Sequence, residues 1–317
     1  MGDDAAVGVY LGDALARYNF GPEHPFGPFR YDAFRRALDG AGLTERCLVR
    51  QPVQASRADL LRFHSEDYVA RVERLSGLGR GFLDLGDTPA FRGMFEATAY
   101  VVGSVLDALT CSLQGICRRA FVPIAGLHHA RREGAAGFCV FNDCGVAIET
   151  LRAVHGVRRV GYVDIDAHHS DGVFYSFVDD PDLIYADIHE SGDYLFPGTG
   201  RADETGRGAA EGTKLNVPLP PGADDARFRD AWEAVEAHLG RYEIELLLLQ
   251  CGADSMAGDP LTGLAYSQRS HAHAAARLSA LADRCCEGRL IAMGGGGYSL
   301  ENLAAAWTAV VEEMLRA

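Results

Sequence analysis

The stretch Ile244–Gln250 reads IELLLLQ and runs directly into CGADSMAGDP, residues 251–260. Its consecutive leucines leave no polar alternation, so neither face of the segment is built to meet water. A short apolar run of this kind is a strand covered on both sides, as in a parallel sheet. Similar runs predict strands at Val7–Tyr10, Cys47–Val49, Phe121–Ile124, Val160–Ile165, Leu183–Ile188, Leu215–Pro218 and Arg289–Met293. Between them, helical periodicity covers Tyr31–Ala41, Met94–Cys111, Asn142–Ala153, Asp225–Gly240, Gln268–Arg284 and Leu300–Arg316. This alternation predicts an α/β architecture: one wound, mostly parallel sheet with helices on both faces. No linker, repeat or low-complexity segment interrupts it, so residues 1–317 read as a single domain.

Composition narrows the function. The 317 residues are 48% hydrophobic and 23% charged, which suits a globular chain with a sizeable core and argues against disorder. Acidic residues outnumber basic ones, 44 to 30, for a formal net charge of -14. A nucleic-acid binder needs a basic footprint, so nucleic acid is not an expected partner. No run approaches the roughly 18 apolar residues of a membrane helix, and the first residues are acidic, unlike a signal peptide. A membrane is therefore not expected either. The eight cysteines form no C-x-x-C pair and several lie in apolar runs, which points to a reducing, cytoplasmic setting. Lys214 is the only lysine, which reads as a matter of composition, not of function.

The unusual residues cluster in loops that follow strands: AGLHHA, DAHHSD, HESGDYLFPGTG, CGADSMAGDP and GGGGYS. Open α/β sheets bind ligands outside the carboxyl ends of their strands, so five polar clusters at one edge mark a site. Asp166 and His168 are two residues apart at a strand end, where period two points both side chains the same way. That suits two ligands of one metal, with Asp254 as a third and an open position for water. A strand-end salt bridge is the competing reading for D-x-H alone. The doublet His128-His129 lies near Asp164 and Asp171; histidines backed by acids hold fixed tautomers and basicity near neutral pH. Gly294–Gly297 lacks the Lys-Ser/Thr of a phosphate loop, but it could present the Tyr298 hydroxyl to an oxyanion. Phe138 and Phe196, in Gly- and Pro-containing loops, are packing residues or the walls of a narrow apolar slot.

Taken in order, YNFGPEHPFGPFR, FHSEDYV, DTPAFRGMFEA, GLHHA, GFCVFND, YVDIDAHHSDGV, YLFPGTG, CGADSMAGDP and GGGGYS resemble the histone deacetylase superfamily. That superfamily includes bacterial acetoin-utilization-type proteins and acetylpolyamine amidohydrolases. The resemblance spans nearly the whole chain. It implies the arginase/deacetylase-like α/β fold and hydrolysis of an N-acyl amide with a single catalytic zinc (Zn2+). By that resemblance Asp166, His168 and Asp254 are the metal ligands, and His129, partnered by Asp171, is the general base and acid. His128, partnered by Asp164, is the electrostatic second histidine, and Tyr298 hydrogen-bonds the carbonyl and then the oxyanion. Phe138, Phe196 and Gly137 would wall a tunnel for an extended aliphatic chain. Asp87 would clamp a substrate backbone at the rim, and Arg30 would lie near the inner acetate cavity.

Two positions depart from the family pattern. Ser170 stands where DxHHGDG has glycine, which brings a hydroxyl close to the histidine pair. Asp187 stands where many eukaryotic relatives have serine, near the family's monovalent-cation site. A carboxylate there could strengthen a structural potassium (K+) site or pair with an arginine. Leu261, just after G-D-P, replaces the glutamate that polyamine-specific relatives often carry. An apolar gatekeeper and Asp87 favour acyl-lysine in proteins or peptides over a small acylated amine such as an acetylpolyamine. Ureohydrolases share the fold and the D-A-H string, yet they need a binuclear manganese site with additional ligands. A non-catalytic acyl-lysine reader would not need the full set of ligands, histidines and tyrosine. Nothing in the sequence sets an oligomeric state.

Overall fold

The computed structural model describes residues 7–317. Its strands are β1 (Val7–Tyr10), β2 (Leu48–Arg50), β3 (Arg119–Val122), β4 (Val160–Asp164), β5 (Leu183–Glu190), β6 (Lys214–Leu219), β7 (Leu246–Gln250) and β8 (Leu290–Met293). They lie side by side in the order β2-β1-β3-β8-β7-β4-β5-β6. Every neighbouring pair is parallel, so the sheet is wholly and not just mostly parallel. The leucine run sits where its pattern requires, with Leu248 in register between Tyr162 of β4 and Ile291 of β8. β7 is buried along its entire length.

The first helices are α1 (Asp13–Ala16), α2 (Phe29–Gly40), α3 (Arg57–Leu60), α4 (Glu66–Leu78) and α5 (Met94–Leu113). The remainder are α6 (Asp143–Ala153), α7 (Asp171–Ser176), α8 (Asp225–Leu239), α9 (Gln268–Cys285) and α10 (Leu300–Arg316). α5 packs on α6, β3 and β8, whereas α9 packs on α8, α10, β7 and β8 and α10 on α2. The two groups therefore cover opposite faces. α5 is long and apolar enough to cross a membrane by length and composition, contrary to the expectation that no segment comes close. Two-thirds of its apolar stretch is buried inside the fold, because it is a core helix pressed on the sheet.

The sequence pattern does not announce α1, α3, α4 or α7. α4 nevertheless has ordinary signals: Ser65 caps its first turn by accepting from the Tyr68 N–H, and Gly79 ends it in a left-handed conformation. The eight cysteines are all free and six are buried, as expected of small core hydrophobes.

Topology brings the site together. After β3 the chain lays down β4 with two strand positions left between them and fills that gap only at the end, with β7 and β8. The five motif-bearing strands β3, β8, β7, β4 and β5 are thus consecutive in space, and their carboxyl ends share one edge.

Candidate active site

β4 ends at Asp164, and the next residues turn Asp166 and His168 toward Asp254, which sits in a single helical turn just after β7. One ligand atom from each of Asp166, His168 and Asp254 lies within 4.8 Å of the other two. His168 Nδ1 is 3.0 Å from Asp166 Oδ1 and 3.1 Å from Asp254 Oδ2. The other carboxylate oxygens are tied to the backbone or to an amide. Asp166 Oδ2 accepts from the Gly296 N–H and from Gln250 Nε2, both at 2.9 Å, and Asp254 Oδ1 accepts from the Ala167 N–H at 3.0 Å. Burial and the Asp166 charge push Asp254 up to about 7, while the two carboxylates overcome burial to hold His168 up at about 10. Two buried carboxylates on one imidazole leave net negative charge even when the imidazole is protonated. A cation held by one nitrogen and two oxygens answers that need, and the donor set suits zinc with a position left open.

The glycine run serves this cluster by making room. A Cβ on Gly296 would lie 2.1 Å from Asp254 Oδ2, so only glycine allows its N–H to approach the ligands.

His128 and His129 follow β3 and reach the same edge. His128 Nδ1 lies 2.8 Å from Asp164 Oδ2, and His129 Nδ1 lies 2.7 Å from Asp171 Oδ1. Burial works against the charged form of His128, but Asp164 and Asp166 overcome it and raise the imidazole to about 9. For His129, burial and then the charge on His128 prevail, pressing it down to about 4 despite Asp171. Asp171 itself is held below the usual carboxylate range: burial resists, but His129 and Arg131 win. The pair therefore divides into a charged member and a neutral one.

A cavity of about 230 Å³ opens on these groups and is lined by Phe138, Phe196, Gly137, Asp87, Leu261 and Tyr298, among others. The Phe196 ring stands 5.1 Å from the His129 ring, and the Phe138 ring meets Tyr298 edge-on at 5.8 Å. Gly137 adopts φ 53, and a Cβ there would lie 2.5 Å from His129 Cδ2. Asp87 and Leu261 are exposed at the mouth. A larger depression of about 440 Å³, beside Ser191–Asp193 and Pro218, includes none of the clustered ligands or paired histidines. Cys139 also lines the cavity, yet burial pushes its thiol far up, which suits a wall and not a nucleophile.

Arg30 lies behind the glycine loop and does not line the cavity. Its Nε donates to the Gly297 carbonyl at 2.8 Å and its Nη2 to the Gly295 carbonyl at 2.6 Å, while Nη1 is buried without a partner among the described residues. Among the described residues Asp187 meets no arginine. Its Oδ1 pairs with His189 Nδ1 at 2.7 Å, and its Oδ2 accepts from Ser170 Oγ at 2.7 Å and from the Tyr185 hydroxyl at 2.6 Å. The two departures from the family pattern, Ser170 and Asp187, therefore touch each other.

Several supporting residues escape sequence reasoning. Asp143 accepts from the N–H groups of Gly126 and Leu127, both at 2.9 Å, and so fixes the backbone just before His128. Asp259 accepts from the Tyr298 N–H at 2.8 Å. His24 packs edge-on against Phe138 at 4.5 Å. Gln250 carried a readable signal, since it is the polar residue that closes the leucine strand.

Fold and site together define an α/β protein built around a candidate metal centre at the carboxyl edge of an all-parallel sheet. The model of the histone deacetylase domain matches residues 24–314. The chain belongs to the histone deacetylase family. It is 36% identical to the acetoin utilization protein AcuC of Bacillus subtilis over 313 residues, covering 94% of this chain and 79% of that one. It is 32% identical to histone deacetylase clr6 of Schizosaccharomyces pombe over 311 residues, covering 95% and 75%. The crystal structure of the HDA15 HD domain superposes with a TM-score of 0.90 at 26% identity, covering 99% of this chain and 89% of that one.

Proposed function

We propose that this protein is a zinc-dependent deacylase that hydrolyses the side-chain amide of acyl-lysine in proteins or peptides. The observation that carries the reading is the contact of Asp166, His168 and Asp254 beside two acid-backed histidines at the base of an aromatic slot. Zinc held by those three residues would polarise the amide carbonyl and make water a stronger acid.

The remaining steps fall to side chains. With its Nδ1 proton donated to Asp171, neutral His129 presents Nε2 as its basic atom. Nε2 takes the proton of the attacking water and returns it to the leaving amine. His128, charged and anchored on Asp164, offsets the negative charge that develops on the carbonyl oxygen. The Tyr298 hydroxyl donates to that oxyanion. Phe138 and Phe196 flank the aliphatic stem, Leu261 keeps the mouth apolar, and Asp87 is free to accept from a substrate backbone N–H.

Hydrolysis of an acetyl-lysine peptide, abolished by a chelator and restored by zinc, is the expected result. Equal or faster hydrolysis of acetylcadaverine would move the substrate to small acylated amines. Absence of turnover in zinc-loaded protein would overturn the reading.

A further inference from the structure

Lys214, the only lysine in the chain, opens β6 and is 2% exposed. Buried charges are ordinarily paired with an opposite charge. The Lys214 ammonium instead meets neutral oxygens. Nζ donates to the carbonyls of Asp180 and Leu183, both at 2.7 Å, and to the Thr213 hydroxyl at 2.9 Å. The Asp180 carboxylate makes no hydrogen bond to Nζ and pairs with Arg152. The Thr213 hydroxyl donates its own proton to the Ala210 carbonyl at 2.7 Å, which leaves a lone pair aimed at Nζ.

These oxygens come from separate pieces of chain. Asp180 lies in the turn between α7 and β5, Leu183 is the first residue of β5, and Thr213 immediately precedes β6. Backbone carbonyls converging on one point repel each other unless a positive charge sits between them. Neutral oxygens replacing a hydration shell are the surroundings that a monovalent cation selects. A divalent ion would call for carboxylates.

We propose that this oxygen cage is a monovalent-cation site that the chain fills with its own lysine. The tethered ammonium takes the place of a potassium or ammonium ion, two cations of similar size. A diffusible ion stabilises only in proportion to its concentration. A tethered one is always present, so the turn that follows the Asp166–Asp171 segment keeps its shape whatever the salt. Lys214→Ala vacates the cage and should create a site for potassium.

The test is thermal unfolding of the full chain in potassium chloride and in tetramethylammonium chloride at equal ionic strength. Wild type sets the reference difference between the two salts, because potassium held near Asp187 would raise wild type and variant alike. Lys214→Ala should lose on the order of 5 °C in tetramethylammonium and regain at least half of that in potassium. A variant blind to the difference overturns the proposal, as does a wild type with the same potassium increment. If Lys214→Ala yields no folded protein in either salt, Lys214→Ser supplies the second measurement, its hydroxyl adding an oxygen to the cage. Potassium-insensitive unfolding of Lys214→Ser, or again no folded protein, overturns the proposal too.

Discussion

His128 and His129 meet Nε2 to Nε2 at 3.1 Å while their Nδ1 atoms turn to two different aspartates. Imidazoles in such contact titrate as a pair, because a second proton would set two cations against each other. The carboxylates around His128 draw the single proton there. His129 stays neutral, and its depression to about 4 has a kinetic consequence. A base whose pKa is lowered loses activity only as pH falls through that lowered value. The kcat/KM profile of the zinc-loaded enzyme should therefore show no acid limb near the ordinary histidine value of about 6.5. A limb centred there would contradict the assignment of His129 as the neutral member.

Tyr298 packs through its ring on Phe138, and its backbone N–H is held by Asp259. Tyr298→Phe keeps both contacts and removes only the hydroxyl. Bound zinc and Tm should be unchanged, while kcat falls by about 10²-fold or more. Metal analysis beside steady-state kinetics separates these outcomes, and near-wild-type turnover would remove Tyr298 from the chemistry.

Gly137 is constrained twice, by φ 53 and by the 2.5 Å that a Cβ would leave to His129 Cδ2. Gly137→Ala should displace the imidazole or the Phe196 ring. We expect a loss in kcat/KM of at least about 10²-fold, as for other small misplacements in catalytic sites. Circular dichroism should show the fold intact. An active Gly137→Ala enzyme would mean that the slot is looser than drawn.

The Ser170–Asp187 contact predicts non-additive substitutions. Ser170→Gly removes a hydroxyl that links Asp187 to Tyr185 and should cost about 1 kcal/mol. Asp187→Ser leaves His189 without its carboxylate and should cost more. In a double-mutant cycle by denaturant unfolding, the pair should couple by about 0.5–3 kcal/mol. Strict additivity would show that the two departures are independent.

The strands are legible because a doubly covered parallel strand leaves its mark in every residue. In IELLLLQ the strand is the unbroken apolar part and its closing glutamine, Leu246–Gln250, and Ile244 and Glu245 precede it. α4 is harder, since Tyr68, Val69, Val72 and Ser76 form a narrow buried stripe in an otherwise polar helix. The ligands and paired histidines are legible because chemistry confines them to a few residue types at strand ends. Asp143 and Asp259 are not, because they act by accepting from backbone N–H groups in other loops, and no local pattern records which N–H that will be. Arg30 shows the same limit. Its place behind the Gly295–Gly297 carbonyls follows from tertiary packing alone.

The lone lysine of this chain is locked inside it. A deacylase with no solvent-facing lysine offers no target to the modification that it is proposed to reverse. Reactive acyl donors cannot mark its surface lysines, since there are none. It also cannot undo, or be slowed by, an acyl group on a sister molecule's lysine. Acylation of the enzyme's own lysine is thus closed off as a brake on its rate while it stays folded. Acetic anhydride applied to the folded protein should leave Lys214 unmodified, and the same treatment after denaturation should acetylate it.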